Sequence, residues 1–221
     1  MMASLSLPDL KTEDVPFLTI EYPLNVALLE PNSSPYERMV VHHAGSRDYS
    51  VEDLIDLHMR KLGMGAIGYH FLIDSEGQIL YSRDLRFKGA HAYPNTGKIG
   101  IGFLRSFSIT EPNERETNAL RTLTEILTKG NGSRMPVVGH NQNQVLELLS
   151  EYESIAHYPE LLQRILLPNS AEDFERAKTE LHRVGENIEV NGAVELHQFI
   201  TKLKTCPGIG AYKGMMQYVQ S

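Results

Sequence analysis

The stretch MVVHHAGS (residues 39–46) places two adjacent histidines where an apolar run meets a turn of small residues. Met39, Val40 and Val41 predict a buried strand, and the Ala-Gly-Ser that follows indicates the turn that ends it. A histidine pair at such a junction is either packed at the edge of the hydrophobic core or part of a metal site. The stretch itself leaves both interpretations open, so the rest of the chain has to distinguish them.

Helical and strand-like segments alternate on both sides of this stretch. Ser50 and Asp53 form a capping-box pattern at the start of a helix, and Gly63 indicates its end. The turn residues 74–77 join two strand-like runs and predict a hairpin. The predicted elements are strand 39–43, helix 51–62, hairpin 68–83, glycine-rich strand 98–107, helix 114–129 and strand 135–140. Because strands and helices mix, the fold class is α/β.

The composition excludes several classes of function. A net charge of −7 argues against a nucleic-acid-binding protein. No apolar stretch approaches the roughly 20 residues that would span a bilayer. Because the N-terminus has neither a basic region nor an apolar run typical of a secretory signal, we expect a protein that is cytoplasmic as synthesised. The single cysteine, Cys206, excludes disulfides within the chain.

Residue patterns divide the chain into three parts. Residues 1–35 are interrupted by five prolines and predict an irregular segment. The mixed pattern covers 36–142 and resumes at 202–221. Between these two parts, residues 143–201 are rich in Leu, Glu, Gln and Lys, and they predict a helical insertion without strands.

Three places along the chain carry side chains that bind metals. They are the His42/His43 pair, His140 at the end of a predicted strand, and Cys206. Two imidazoles and a thiolate with an open fourth position form a catalytic zinc arrangement. The alternative is that the histidines are held by backbone carbonyls and that Cys206 is a small buried hydrophobe. From the residues alone, both remain open.

Five motifs in order carry a family resemblance: VVHHAGS, GYHFLIDSEGQI, GAHAYPNTGKIGIGF, VVGHNQ and KTCPG. Together they resemble the zinc-dependent N-acetylmuramoyl-L-alanine amidases of type 2, a family that includes amidase-type phage lysozymes and peptidoglycan recognition proteins. The resemblance covers about half of the chain. It implies a mixed central β-sheet flanked by helices, an amidase domain formed by 36–142 and 202–221, a Zn²⁺ cofactor, and peptidoglycan or a muropeptide as substrate.

The resemblance also implies roles for individual residues. His42, His140 and Cys206 fall on the metal-ligand positions, where family members carry Cys or Asp at the third. Tyr69 and Lys204 fall on catalytic positions. Whether Tyr69 acts as a base or stabilises the tetrahedral intermediate stays open. Lys204 would supply a fixed positive charge for the oxyanion.

Further positions near the implied cleft are candidates for substrate binding. His91 matches a histidine beside the family's cleft, and Asn95 follows on the same loop. The resemblance makes His42 the metal ligand, and since neighbouring side chains of a strand alternate faces, His43 should then point away or sit beside it. We therefore carry His91, Asn95 and His43 as substrate-binding candidates, and we expect His70 to be a core histidine.

The chain departs from the family pattern in three ways. His140 and Cys206 are 66 positions apart, whereas most members use a short loop, so the inserted 143–201 is a lid, a docking surface for a protein partner, or a stabilising cap. Gly102 stands where many relatives carry a glutamate, a difference that we take as neutral. The acidity is unusual for an enzyme that approaches anionic cell walls.

The sequence leaves three classes of function open. The first is a zinc amidase that acts as a phage endolysin with antimicrobial effect, as an exported effector, or as a recycling enzyme. Cys206 favours the first two settings, since recycling relatives tend to use Asp. The second is a module that binds peptidoglycan fragments without cleaving them. The third is an interaction protein that acts through its helical segment.

Overall fold

A computed structural model describes residues 17–187 except Ser46, Ser108, Ile109 and Ser133, together with Ile200 and Leu203. Its six-stranded mixed sheet has the order β1-β4-β3-β5-β2-β6. The strands are β1 (Phe17–Thr19), β2 (Arg38–His43), β3 (Phe71–Ile73), β4 (Ile79–Tyr81), β5 (Lys98–Phe103) and β6 (Val137–Gly139). Only the β3–β4 hairpin is antiparallel among these pairs. The prediction of a mixed sheet flanked by helices is confirmed.

The helices connect and cover the strands. They are α1 (Val51–Ile55), which continues as a π-helical turn (Asp56–Lys61), α2 (Glu114–Asn131), α3 (His140–Glu151), α4 (Pro159–Leu166) and α5 (Ala171–Asn187), with short 3-10 helices at Val26–Leu28 and Glu153–His157. The capping box predicted for α1 is present, because the Ser50 side chain accepts from Asp53 N–H while the Asp53 side chain accepts from Ser50 N–H. Gly63 follows this helix with a positive φ of 67°. No helix among the described residues is long and apolar enough to cross a membrane.

The two faces of the sheet have different coverings. Met39 and Val41 of β2 belong to the main core, in which Leu120 and Leu123 of α2 pack against the sheet. The opposite face is that of Val40, which packs with Ala92 and Val138. This alternation follows from the two-residue period of a strand. Only the second face carries His42, and we call it the site face.

A second core lies in the helical part of the chain. Its buried side chains are Val145, Leu148, Tyr152, Ile155, Leu161, Leu162, Ile165, Phe174, Ala177, Leu181, Ile200 and Leu203. The regular elements in the described part of 143–201 are helices, and the insertion of 143–201 into an amidase domain stays a prediction. Helix α3 begins at His140, three residues before the predicted boundary, because Gly139 caps it and the Gln142 side chain accepts from Gly139 N–H. The helical core therefore starts in the same helix that carries His140.

The N-terminal prediction needs a correction for its described part. Residues 17–35 were expected to be irregular, yet β1 pairs in parallel with β4 and a 3-10 helix follows. Tyr22 anchors the segment further, since its hydroxyl accepts from Ile67 N–H at 3.1 Å and donates to the Ser82 carbonyl. The prolines do not prevent this arrangement, because Pro23, Pro31 and Pro35 all lie outside β1. Residues 1–16 lie outside the described part of the chain.

Candidate active site

The site forms where two parallel strands end. His42 is near the carboxyl end of β2, and His140 directly follows β6, which pairs with β2 through Val41 and Gly139. The two imidazole rings lie side by side, with 4.6 Å between their centroids. Only 2% of His42 is exposed. The carboxyl edge of parallel strands is where α/β proteins gather functional groups, and here it gathers two imidazoles.

Two glycines of β5 make room for aromatic rings on the site face. A Cβ at Gly100 would lie 2.3 Å from Cδ2 of His91, and one at Gly102 would lie 2.8 Å from Cδ2 of Tyr69. Neither distance is compatible with a side chain at the glycine. Gly102 pairs with His42 in the sheet, and the Tyr69 ring lies 5.1 Å from the His42 ring. Glycines at alternate positions of a strand are thus the sequence signal that aromatic rings pack directly against its backbone.

His91 contacts His42 directly. Nδ1 of His91 and Nε2 of His42 are 3.0 Å apart, so one nitrogen donates and the other accepts. Burial lowers the pKa of His91 well below its usual value, and the neighbouring His70 and His140 lower it further. His91 is therefore neutral near pH 7, and it orients the His42 ring.

Asn95 fastens the loop that carries His91. Its Oδ1 accepts from the backbone N–H groups of His91 and Ala92, both at 2.9 Å. The Asn95 amide oxygen thus stabilises the conformation of the loop. Contact of Asn95 or His91 with substrate stays a prediction.

His43 lies on the opposite face of β2 from His42. Its Nδ1 accepts from Phe107 N–H at 3.0 Å, and its ring stacks on the Phe107 ring with 6.2 Å between centroids. This face packs against α2, so His43 is remote from the side chains that surround His42. We do not include it in the substrate site proposed below.

Two further buried histidines, His70 and His58, pack next to the residues of the site. His70 Nδ1 accepts from Gly100 N–H at 2.9 Å, and its Nε2 donates to the Phe87 carbonyl at 3.0 Å. His70 is therefore a core histidine, as expected. His58 was not expected at the site, but it accepts from Gly68 N–H at 3.1 Å and its ring lies 5.7 Å from the Tyr69 ring. Its place on an amphipathic helix gives no signal for this contact.

Protonation of His70 is expected to destabilise the fold in mild acid. Burial lowers the pKa of His70 to about 4, whereas an unfolded chain has its histidines near 6.5. Below about pH 6.5 the unfolded state binds the additional proton, so the free energy of unfolding falls as the pH falls towards 4. We expect His70 to account for a loss of about 2 kcal/mol between pH 7 and pH 5.

Urea denaturation at both pH values measures this effect in wild type, His70→Gln and His157→Gln. His70→Gln is expected to weaken the pH dependence by about the same 2 kcal/mol. The exposed control, His157→Gln, is expected to retain the wild-type dependence. An identical pH dependence in all three proteins would contradict this role of His70.

Gly100→Ala is expected to displace the His91 ring. The new methyl group would overlap Cδ2 of His91, and overpacking of this kind costs about 1–3 kcal/mol. Adding His91→Ala removes the overlapping ring, so the double variant should be more stable than the sum of the single effects allows. Chemical denaturation of the four proteins tests this, and additive effects would show that the two residues do not meet.

The donor set agrees with a zinc site as far as it is described. Adjacent imidazoles at strand ends match the nitrogen ligands that zinc prefers. Among the described residues, no three His, Cys, Asp or Glu side chains are grouped as a metal site. The third predicted ligand, Cys206, and the predicted catalytic Lys204 lie outside those residues.

Comparison with known proteins gives a consistent family. The family profile Amidase_2, N-acetylmuramoyl-L-alanine amidase, matches residues 32–150, more than half of the chain. The chain is 30% identical over 100 residues to peptidoglycan-recognition protein 2 of Holotrichia diomphalia, a match that covers 41% of this chain and 54% of that relative. The chain thus spans about half the length of that relative.

Solved structures with the same fold include both kinds of relative. Peptidoglycan recognition protein SD of Drosophila superposes with a TM-score of 0.53 at 28% identity, covering 58% of this chain and 85% of that one. The endolysin N-acetylmuramoyl-L-alanine amidase LysCS of Clostridium intestinale gives a TM-score of 0.51 at 24% identity, covering 57% and 81%. The second likeness shows the fold alone.

Proposed function

Because this chain belongs to the N-acetylmuramoyl-L-alanine amidase family, we propose that it is a zinc-dependent peptidoglycan hydrolase. The bond cleaved is the amide between N-acetylmuramic acid and L-alanine of the stem peptide. The observation that carries the proposal is the convergence of His42 and His140, whose ring centroids are 4.6 Å apart at the carboxyl ends of two parallel strands.

His42, His140 and Cys206 would hold the zinc. Nε2 of His42 is hydrogen-bonded to Nδ1 of His91. His42 would therefore bind the metal through its other ring nitrogen, Nδ1. A ligating histidine is commonly oriented in this way through its other nitrogen. The bound metal would activate water and polarise the scissile carbonyl.

The remaining side chains act on the substrate and on protons. Tyr69, half-buried beside His42, would hydrogen-bond the attacking water or the oxyanion through its hydroxyl. Lys204 would supply a positive charge to the oxyanion, an effect worth a few kcal/mol for a single donor. His91 holds the His42 ring in place and lines the inner wall of the site.

Metal analysis of the purified protein tests the cofactor part of this proposal. We expect one zinc per chain, and we expect cleavage of purified cell walls to stop with a chelator and to return with added zinc. Cleavage that continues unchanged in excess chelator would contradict the proposal.

Binding of peptidoglycan fragments without cleavage is the second candidate. It is favoured by the curated relatives, which are named as peptidoglycan-recognition proteins. Cys206 favours the enzyme, because non-catalytic relatives typically lack this cysteine. Incubation with a defined muropeptide followed by mass spectrometry separates the two, since a binding protein would leave the fragment intact.

The setting of the activity is also a proposal. We place the protein at the cell wall after release or export by another system, either as an endolysin with antimicrobial effect or as an effector. The third candidate is an interaction protein, which would bind a protein partner through residues 143–201. Replacing residues 153–201 with a short linker tests it while α3 and Glu147 stay in the chain. Wall cleavage that persists while the biological effect is lost would support the partner.

A further inference from the structure

A buried lysine connects two elements that surround the site. Lys98, at the start of β5, has a side chain that is only 2% exposed. Its Nζ donates to Oε1 of Glu147 on α3 at 2.8 Å and to the Pro94 carbonyl at 2.7 Å. Pro94 belongs to the 91–97 loop, which also carries His91. One ammonium group therefore joins this loop to α3.

The connection lies on the site face. Lys98, Gly100 and Gly102 are alternate residues of β5, so their side-chain positions point to the same face. His91 lies over Gly100 and Tyr69 lies over Gly102, while Lys98 occupies the end of this row.

The loop and α3 are thus linked at two places, each time through a residue of a different strand: His42 of β2 and Lys98 of β5. Close to the site, His91 is bonded to His42, and the His42 ring lies beside that of His140, the first residue of α3. At the far end, Pro94 and Glu147 are both bonded to Lys98, about two turns along α3 from His140. A loop and a helix that are connected at both ends have little freedom to move relative to each other.

Stability alone is a poor explanation for this arrangement. Taking a lysine and a glutamate out of water costs free energy that their attraction only roughly offsets, and apolar residues of similar size often replace such a pair without loss. Burial lowers the pKa of Lys98, and the hydrogen bond that its ammonium group donates to Glu147 opposes that effect. What an apolar pair would not supply is the directional bond that fixes both the loop and the helix.

We propose that Lys98 and Glu147 are positioning residues, which set the places of His91 and His140 relative to His42. This inference rests on the proposed function, in which His42 and His140 bind zinc. It also gives the helical segment a part in the site. Val145 and Leu148 of α3 belong to the helical core, so the packing of that core reaches the helix that begins with His140.

The test compares wild type with Lys98→Met/Glu147→Leu and with Lys98→Met alone. Lys98→Met removes both hydrogen bonds of the ammonium group. It leaves Arg38 3.5 Å from Glu147, so the Glu147 carboxylate still has a cationic partner in the folded protein. We expect the double variant to melt within about 4 °C of wild type when metal-free. Lys98→Met alone should be less stable than the double variant, because it leaves the Glu147 carboxylate with Arg38 in place of its closer partner. Zinc affinity, measured by competition with a chromophoric chelator, is expected to fall at least about tenfold.

A matched control is the ion pair between Arg105 and Glu116. Glu116 is also fully buried, but it belongs to α2, on the other side of the sheet from the site. Since Glu116 also accepts from Asn113 N–H at the start of α2, Arg105→Met/Glu116→Leu should lose stability. Its zinc affinity should stay within about twofold of wild type, because this pair has no bond to the loop or to α3.

A second readout requires no metal. Correlation spectra of the histidine rings in metal-free protein are expected to show shifted or broadened signals for His91 and His140 in the Lys98 variants, with His157 unchanged. Unchanged ring signals together with a zinc affinity within twofold of wild type would overturn the inference. If wild type itself bound no zinc, the proposed function would fail, and the ring signals alone would decide the positioning role.

Discussion

Cys206→Ala is expected to abolish stoichiometric zinc binding and peptidoglycan cleavage together. In the proposed site, losing one of three protein ligands would remove a bond to the metal itself. We therefore expect zinc affinity to fall by more than about 100-fold, beyond the effect of losing a partner that only orients a ligand. The matched variant Cys206→Asp keeps an anionic ligand of the kind found in some family members. It should retain part of both properties.

The single cysteine makes this prediction measurable without any substrate. A thiol reagent reports on Cys206 alone, because the chain contains no other cysteine. We expect zinc to protect the thiol from reaction and a chelator to expose it, since a thiolate bound to metal is less available as a nucleophile. Equal reaction rates with and without zinc would show that the sulfur is not a ligand.

The adjacent histidines of β2 are expected to give opposite results when replaced. His42→Ala should lose zinc and cleavage by more than about 100-fold, because it removes a ligand and the bonding partner of His91. His43→Ala should keep both properties. It should instead lower the free energy of unfolding by about 1–3 kcal/mol, because it leaves Phe107 N–H without its acceptor.

Each variant serves as the control for the other. Zinc content, cleavage rate and urea denaturation are measured on both proteins under the same conditions. Loss of zinc in His43→Ala at full stability, with zinc retained in His42→Ala, would show that the wrong face of β2 had been chosen.

Local signals in the sequence predicted much of the fold. The apolar run 39–41, the capping box at Ser50 and Asp53, and the turn 74–77 each depend on neighbouring residues, and the structure contains the strand, the helix and the hairpin. Alternation along β2 also separated His42 from His43 correctly, since it requires only the two-residue period of a strand.

Long-range relations were not available from the sequence. The pairing of β1 with β4 joins segments about 60 residues apart, and no local pattern specifies it. Lysine is a residue type that usually lies at the surface, yet Lys98 is buried because its ammonium group donates to Glu147 and to the Pro94 carbonyl. His58 is buried beside Tyr69 for the same kind of reason. The burial of Lys98 and of His58 depends on contacts with residues that are distant in the sequence and come close only in the folded protein.

The bond that is broken in purified peptidoglycan tests the central claim most directly. Mass spectrometry of the digest should find stem peptides that begin with a free amino group on L-alanine, together with glycan whose lactyl carboxylate is free. These products should be absent with a chelator. Intact muropeptides after incubation with zinc-loaded protein, or cleavage at any other bond, would contradict the amidase account.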